Sequence, residues 1–176
     1  ASGLIAHVAA CKYNDHLPLH RQEQIFARHG LEIPRSTTCD WMAAAAELLK
    51  PLYDEMVKVV LQSRVIHTDD TRVSMQSNTT PGKTVATRFW TYIGDDEHPL
   101  TVFDFTLSRE RDGPASFLKG YRGAIQADGY SAYDGIAISG DNPRGGCWAH
   151  ARRHFHDAMK TTPPLLYAEV MARIGR

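Results

Sequence analysis

Two carboxylates stand side by side in VIHTDDTRV, residues 65–73, between an apolar entry at Val65 and Ile66 and an apolar exit at Val73. A further acid, Asp128, closes the apolar start of IQADGY. Carboxylates brought within a few ångströms repel and share a proton unless a divalent cation supplies the opposite charge. Their oxygens are hard ligands, which suits Mg²⁺ or Mn²⁺. Two such ions roughly 3.5–4 Å apart can activate a water or hydroxyl on one side of a phosphodiester and stabilise the leaving oxygen on the other. The chemistry these acids would serve is phosphoryl transfer. Spacing alone leaves the matter open, because acids are common at strand ends and Asp-Gly is also a turn signal. Nor does strand periodicity choose between Asp69 and Asp70, since adjacent strand residues point to opposite faces.

The elements that would position these acids fall into two textures. Residues 1–62 read as helical. Leu19, Ile25 and Phe26 space one helix that Gly30 closes, and a second begins at Ser36 or Thr37, either of which can cap it, and runs toward Leu61. Leu48, Leu52, Met56 and Val59 or Val60 form an apolar stripe on that second helix, with Pro51 expected to kink it or to mark a junction. From Ser63 the period becomes that of strands, over 64–69, 86–94, 99–107 and 123–129, with short helices at 114–121 and around 131–135 and a longer one over 149–160. This order predicts an α/β fold, residues 63–176, whose first three strands form a meander. Trp90 and Phe89 are expected to fill its core.

Composition excludes several classes. A chain of 176 residues with 43% hydrophobic and 23% charged residues is ordinary for a globular protein. Formal net charge is zero, which argues against a general polyanion binder. The three cysteines, Cys11, Cys39 and Cys147, form no Cys-x-x-Cys pair and suit a reducing cytosol. No apolar run is long enough to span a bilayer, so a cytoplasmic protein without membrane contact is expected. The start at Ala1 and the stop at Arg176 fit a fragment.

The stretches HLPLHRQEQIFARHGLEIPRSTTCDW, HTDDTRV, RFWTYIGD, IQADGYSAYDG and GCWAHARRHFHDA, in that order, resemble successive landmarks of the IS66 family of bacterial insertion-sequence transposases. The resemblance spans nearly the whole chain, and QADGY with GCWAHARR is its most specific part. It implies an RNase H-like mixed sheet with flanking helices, a DDE-type site holding two Mg²⁺ or Mn²⁺ ions, and DNA as partner, both insertion-sequence ends and target, worked on by a homo-oligomer. Asp69 matches the first acid of the family's Asp-(Asp/Glu)-Thr motif and Asp128 the acid of Gln-Ala-Asp-Gly-Tyr, which makes these two the expected catalytic and metal-holding residues and Asp70 a neighbour. The family's third acid lies in a Leu-Tyr-x-x-Glu stretch that would follow MARIGR. Glu169 precedes that landmark and is not given its role, so the fragment is expected to be inactive or nearly so. The alternatives are another metal-dependent nuclease of the same fold, or a non-catalytic DNA-binding or assembly module.

Other residues carry a plain and a sharper reading. Cys147, His150 and His154 are zinc ligands by type, but with one local Cys and no fourth ligand zinc is not expected, and the Cys147-x-x-His150 signature has no role derivable from sequence. Arg152, Arg153 and Lys160 could contact DNA phosphates or form a solvated face. Arg35, Ser36 and Thr37 could contact DNA if the N-terminal helices act as a helix-turn-helix; otherwise those helices, with Trp41, form a supporting layer. His67 shares the Asp69 face and is expected to pack, as are Tyr130 and Tyr133.

Overall fold

A computed structural model of the chain describes residues 2–77, 79–110, 112–133, 136, 143–158, 160 and 165–174. The chain forms two compact units, Ala1–Glu55 and Met56–Arg176, which divide within a helix; the expected division after residue 62 falls just past that helix's end.

The N-terminal unit is helical, as its pattern predicts. Helix α1 spans Ser2–Tyr13, α2 Leu19–Arg28, and α3 starts at Arg35 and reaches Val60. Val8, Leu19, Phe26 and Met42 form the core, with Trp41 and Ile33 packed against it. Buried Gln22 donates to the carbonyls of Val8 (3.2 Å) and Leu17 (3.0 Å), tying α2 to α1. Gly30 follows α2 with φ at +75°, the left-handed conformation that a helix-closing glycine adopts at least cost. At the start of α3 the expected Ser36 or Thr37 cap gives way to another. The helix already begins at Arg35, ahead of both residues, and the exposed backbone N–H of Arg35 donates to Glu23 Oε1 at 2.9 Å. Pro51 lies inside a single helix and not at a junction. The Leu48 and Leu52 part of the stripe is exposed, whereas Val60 is fully buried.

The second unit is built on a five-stranded sheet whose strands lie side by side in the order Thr101–Thr106, Thr84–Ile93, Val65–Gln76, Ala124–Ala127, Arg144–Gly146. Strands β1 (Val65–Gln76), β2 (Thr84–Ile93) and β3 (Thr101–Thr106) form the expected antiparallel meander. Helix α4 (Asp112–Phe117) then leads to β4 (Ala124–Ala127), parallel to β1. A 3-10 turn at Ser131–Tyr133 and β5 (Arg144–Gly146), parallel to β4, precede α5 (Trp148–Ala158) and α6 (Leu165–Ile174). β1 extends seven residues past the expected Asp69, because the strand continues through the hairpin with β2 to Gln76. The brief Arg-Gly-Gly strand β5 had no apolar alternation to announce it.

Ile66, Trp90, Tyr92, Val102, Leu118, Ile125 and Tyr133 are buried in this unit. Tyr92 stacks on Phe117 of α4 at 3.6 Å, and Trp90 meets Tyr133 edge-on at 6.0 Å. Phe89 departs from expectation. Next to Trp90 on β2, it must face the other way, and it lies 40% exposed beside Phe105 and Phe103 on the face that also carries Asp69. Trp90→Ala should therefore cost about 3–5 kcal/mol in chemical denaturation. Phe89→Ala should cost about 1 kcal/mol. Equal losses would contradict this assignment of faces.

Candidate active site

Strands β1 and β4 pair with Val65 beside Ala124, Ile66 beside Ile125 and His67 beside Gln126. The same offset carried two residues on sets Asp69 alongside Asp128, which stands immediately after the last residue of β4. Each carboxylate has one oxygen fixed by backbone. Asp69 Oδ1 accepts the Asp70 N–H at 2.9 Å, and Asp128 Oδ1 accepts the Tyr130 N–H at 3.0 Å. Arg144 of β5 steadies the second loop by donating from Nη2 to the carbonyls of Asp128 (2.6 Å) and Tyr130 (3.1 Å).

Helix α5 brings a third group. His150 Nε2 lies 3.8 Å from Asp69 Oδ2, and one ligand atom from each of Asp69, Asp128 and His150 lies within 4.8 Å of the others. Cys147 immediately precedes this helix, and its sulfur accepts the backbone N–H of His150. Three residues is the spacing at which a capping side chain meets an exposed helix N–H, which gives the Cys-x-x-His signature a physical account: the sulfur caps the turn that carries the imidazole. The Cys147 thiol is held below its ordinary pKa first by that N–H and then by the His150 ring. His150 is raised above the usual imidazole value, first by Cys147 and further by the charges of Asp69 and Asp128, against the opposing effect of burial.

Asp70 faces away from this cluster. Its side chain is 3% exposed and lies between Arg88 Nη1 at 3.1 Å and Arg109, whose Nη2 approaches to 2.8 Å. Nearby, the buried Tyr133 hydroxyl bonds Thr68 at 3.0 Å, and burial pushes its phenol pKa up. The adjacent acids therefore have separate surroundings: Asp69 opens to the cluster and Asp70 is enclosed by arginines.

The other expected residues fall into place unevenly. His67 is exposed and not packed; with Asp69, Thr91 and His150 it lines a cavity of about 140 Å³. A second, open cavity of about 490 Å³ is lined by Arg109, Asp128, Tyr130, His150 and His154 among others. His150 therefore groups with the acids, while the Cys147 sulfur is engaged at the helix start. Arg152 and Arg153 are exposed on α5, and Lys160 is paired with Asp157 at 2.7 Å. Arg35 and Ser36 are exposed and Thr37 half-buried in the N-terminal unit. Glu169 pairs with Arg173 along α6 and is not a member of the acid cluster. Tyr130 does more than pack, since its ring lies under the Arg109 guanidinium at 3.9 Å. Arg109 and Arg144 were not foreseen, because both sit in irregular charged stretches without a periodic signal.

The family model described as "Transposase IS66 family" matches residues 1–176. The chain belongs to the IS66 transposase family. Two relatives from Sinorhizobium fredii carry the names "Uncharacterized protein y4qI" and "Uncharacterized protein y4jD". The first is 36% identical over 167 residues, covering 88% of this chain and 31% of that protein. The second is 34% identical over 175 residues, covering 92% of this chain and 34% of the relative. The IS66-family chain thus spans about a third of the length of these curated relatives. No solved structure matches it. Among the described residues no helix is long and apolar enough to cross a membrane.

The contrasting surroundings of the adjacent acids predict different consequences of removing each charge. Asp70→Asn should lower stability by about 1–3 kcal/mol, because two guanidiniums lose their shared counter-charge, with the loss limited by their partial exposure. Asp69→Asn should change stability by no more than about 0.5 kcal/mol. Urea denaturation of the two variants checks the contrast, and a more damaging Asp69 variant would contradict it.

Proposed function

We propose that this IS66-family chain carries the metal-holding part of a DDE-type DNA transposase, which cleaves DNA strands at insertion-sequence ends and joins them to a target. The observation that carries the reading is the meeting of Asp69, Asp128 and His150 at neighbouring strand positions and a helix start. The two carboxylates suit Mn²⁺ or Mg²⁺ by donor type, while the imidazole is a softer donor that Mn²⁺ accepts more readily than Mg²⁺, and the open side of the cluster leaves room for a substrate. An antiparallel meander followed by parallel strands, with Asp69 on central β1 and Asp128 immediately after its parallel neighbour β4, supports the RNase H-like description.

In this reading Asp69, Asp128 and His150 would hold the cations. When bound, the ions supply nucleophile activation and stabilisation of the leaving oxygen at a phosphodiester. Exposed Arg152 and Arg153 hold DNA backbone near the acids; Lys160, paired with Asp157, contributes less. Arg35, Ser36 and Thr37 are a second candidate DNA contact. The working enzyme is a cytoplasmic homo-oligomer on DNA. A third acid in a Leu-Tyr-x-x-Glu stretch is not among these 176 residues, so this chain alone should show strand cleavage at or near background.

Calorimetric titration with Mn²⁺ tests the reading. Asp69→Asn and Asp128→Asn should each weaken binding by at least about 10-fold, since even outer-shell changes at metal sites cost that much. Unchanged Mn²⁺ affinity in both variants would remove the basis for the metal site. With a longer protein containing the third acid, joined products would distinguish a transposase from a nuclease that only cuts.

A further inference from the structure

The loop after β3 carries Arg109 to the rim of the cavity that Asp128 and His150 also line. Its guanidinium is anchored from two directions. Nε donates to both oxygens of Asp70 at 3.1 Å and Nη2 to one of them at 2.8 Å, while the Tyr130 ring lies 3.9 Å away. The Tyr130 hydroxyl also donates to the carbonyl of Arg109 itself. Neutralising Asp70 does not require this residue, because Arg88 already meets the same carboxylate at 3.1 Å. Two guanidiniums share the Asp70 carboxylate, and Arg109 is the more exposed of the pair, at 41% against 20%. Its approach to Asp128 Oδ2, 3.9 Å from Nη2, is too long for a hydrogen bond. Nη1 has no hydrogen-bond or ion-pair partner among the described residues.

We propose that Arg109 is a DNA-phosphate clamp of this site, using its spare N–H groups to hold a backbone phosphate over Asp128 while Asp70 and Tyr130 fix its orientation. The inference rests on the transposase reading and adds the residue that would bring the phosphodiester to the acids. A planar guanidinium with donors to spare is well matched to phosphate oxygens. Because Asp70 and Tyr130 already hold the group in place, binding orders little that was free. Asp70 thereby serves as a positioning residue, acting through Arg109.

Fluorescence anisotropy of the 176-residue chain with a short DNA duplex, over a series of salt concentrations, tests the proposal. Arg109→Ala should bind about 10-fold more weakly and lower the slope of log affinity against log salt by about 1, the signature of one lost phosphate contact. Arg109→Lys keeps a cation for Asp70 and so guards against misfolding. Its single ammonium, shared with Asp70, should also lose affinity. Wild-type affinity and slope in both variants would overturn the clamp, as would a lowered melting temperature with an unmoved slope, the mark of a purely structural role. Absence of DNA binding by the wild-type chain would overturn it too. A Mn²⁺ titration in parallel separates this outcome from failure of the metal reading. Arg109→Ala should bind Mn²⁺ at least as tightly as wild type, because a positive charge near Asp128 is removed. If the wild-type chain binds no Mn²⁺, the metal reading fails while the DNA measurement still decides Arg109.

Discussion

Parallel pairing of β1 with β4, at the offset that puts His67 beside Gln126, brings Asp69 and Asp128 together. Residues far apart in sequence become neighbours through a few backbone hydrogen bonds, and the acids lie just past the paired stretch, where side chains open to solvent. A one-residue slip of β4 would turn its side chains to the opposite face and break the acid pair. Buried Ile66 and Ile125, side by side in the pairing, specify the register by keeping their shared face in the core. The site thus depends on ordinary hydrophobic burial three residues before each acid. β5 and α5 build on the same edge, adding Arg144 beneath the Asp128 loop and His150 above Asp69.

The adjacent acids of HTDDTRV resolve into different physical tasks. Strand alternation sends their side chains to opposite faces, and the surroundings of the faces differ in charge and solvent. Asp69, with its side chain 55% exposed, keeps an oxygen toward His150, whereas Asp70 is enclosed and neutralised by arginines. A buried carboxylate between two guanidiniums costs desolvation that its partners must offset. Here that arrangement also fixes a cation beside the acid cluster. The acid cluster and a guanidinium stand close together without forming a tight ion pair, since Asp70 takes the strong bonds of Arg109.

Much of this architecture was legible in the sequence, and the failures have physical causes. The meander and the acid-ended strand β4 followed from alternation and turn residues, and the helical N-terminus from its period and Gly30. Alternation also should have separated Phe89 from Trp90, and assigning both to the core overlooked it. The Ser36 or Thr37 cap failed because the N–H of Arg35 found Glu23, a partner from a different helix that local sequence does not disclose. β5 is three residues long and glycine-rich, held by pairing with β4 and not by its own propensity. The Cys147-x-x-His150 spacing was visible as a signature, but its capping geometry needed the helix start to be placed at Trp148. Arg109 could not have been read at all, since its importance comes from Asp70, Tyr130 and Asp128 converging on one loop residue.

Anomalous diffraction from crystals of the chain grown with Mn²⁺ tests the central claim most directly. The account predicts a manganese peak between the Asp69 and Asp128 carboxylates with His150 at its side. A peak elsewhere, or no peak at those side chains in crystals bathed in the ion, would contradict it.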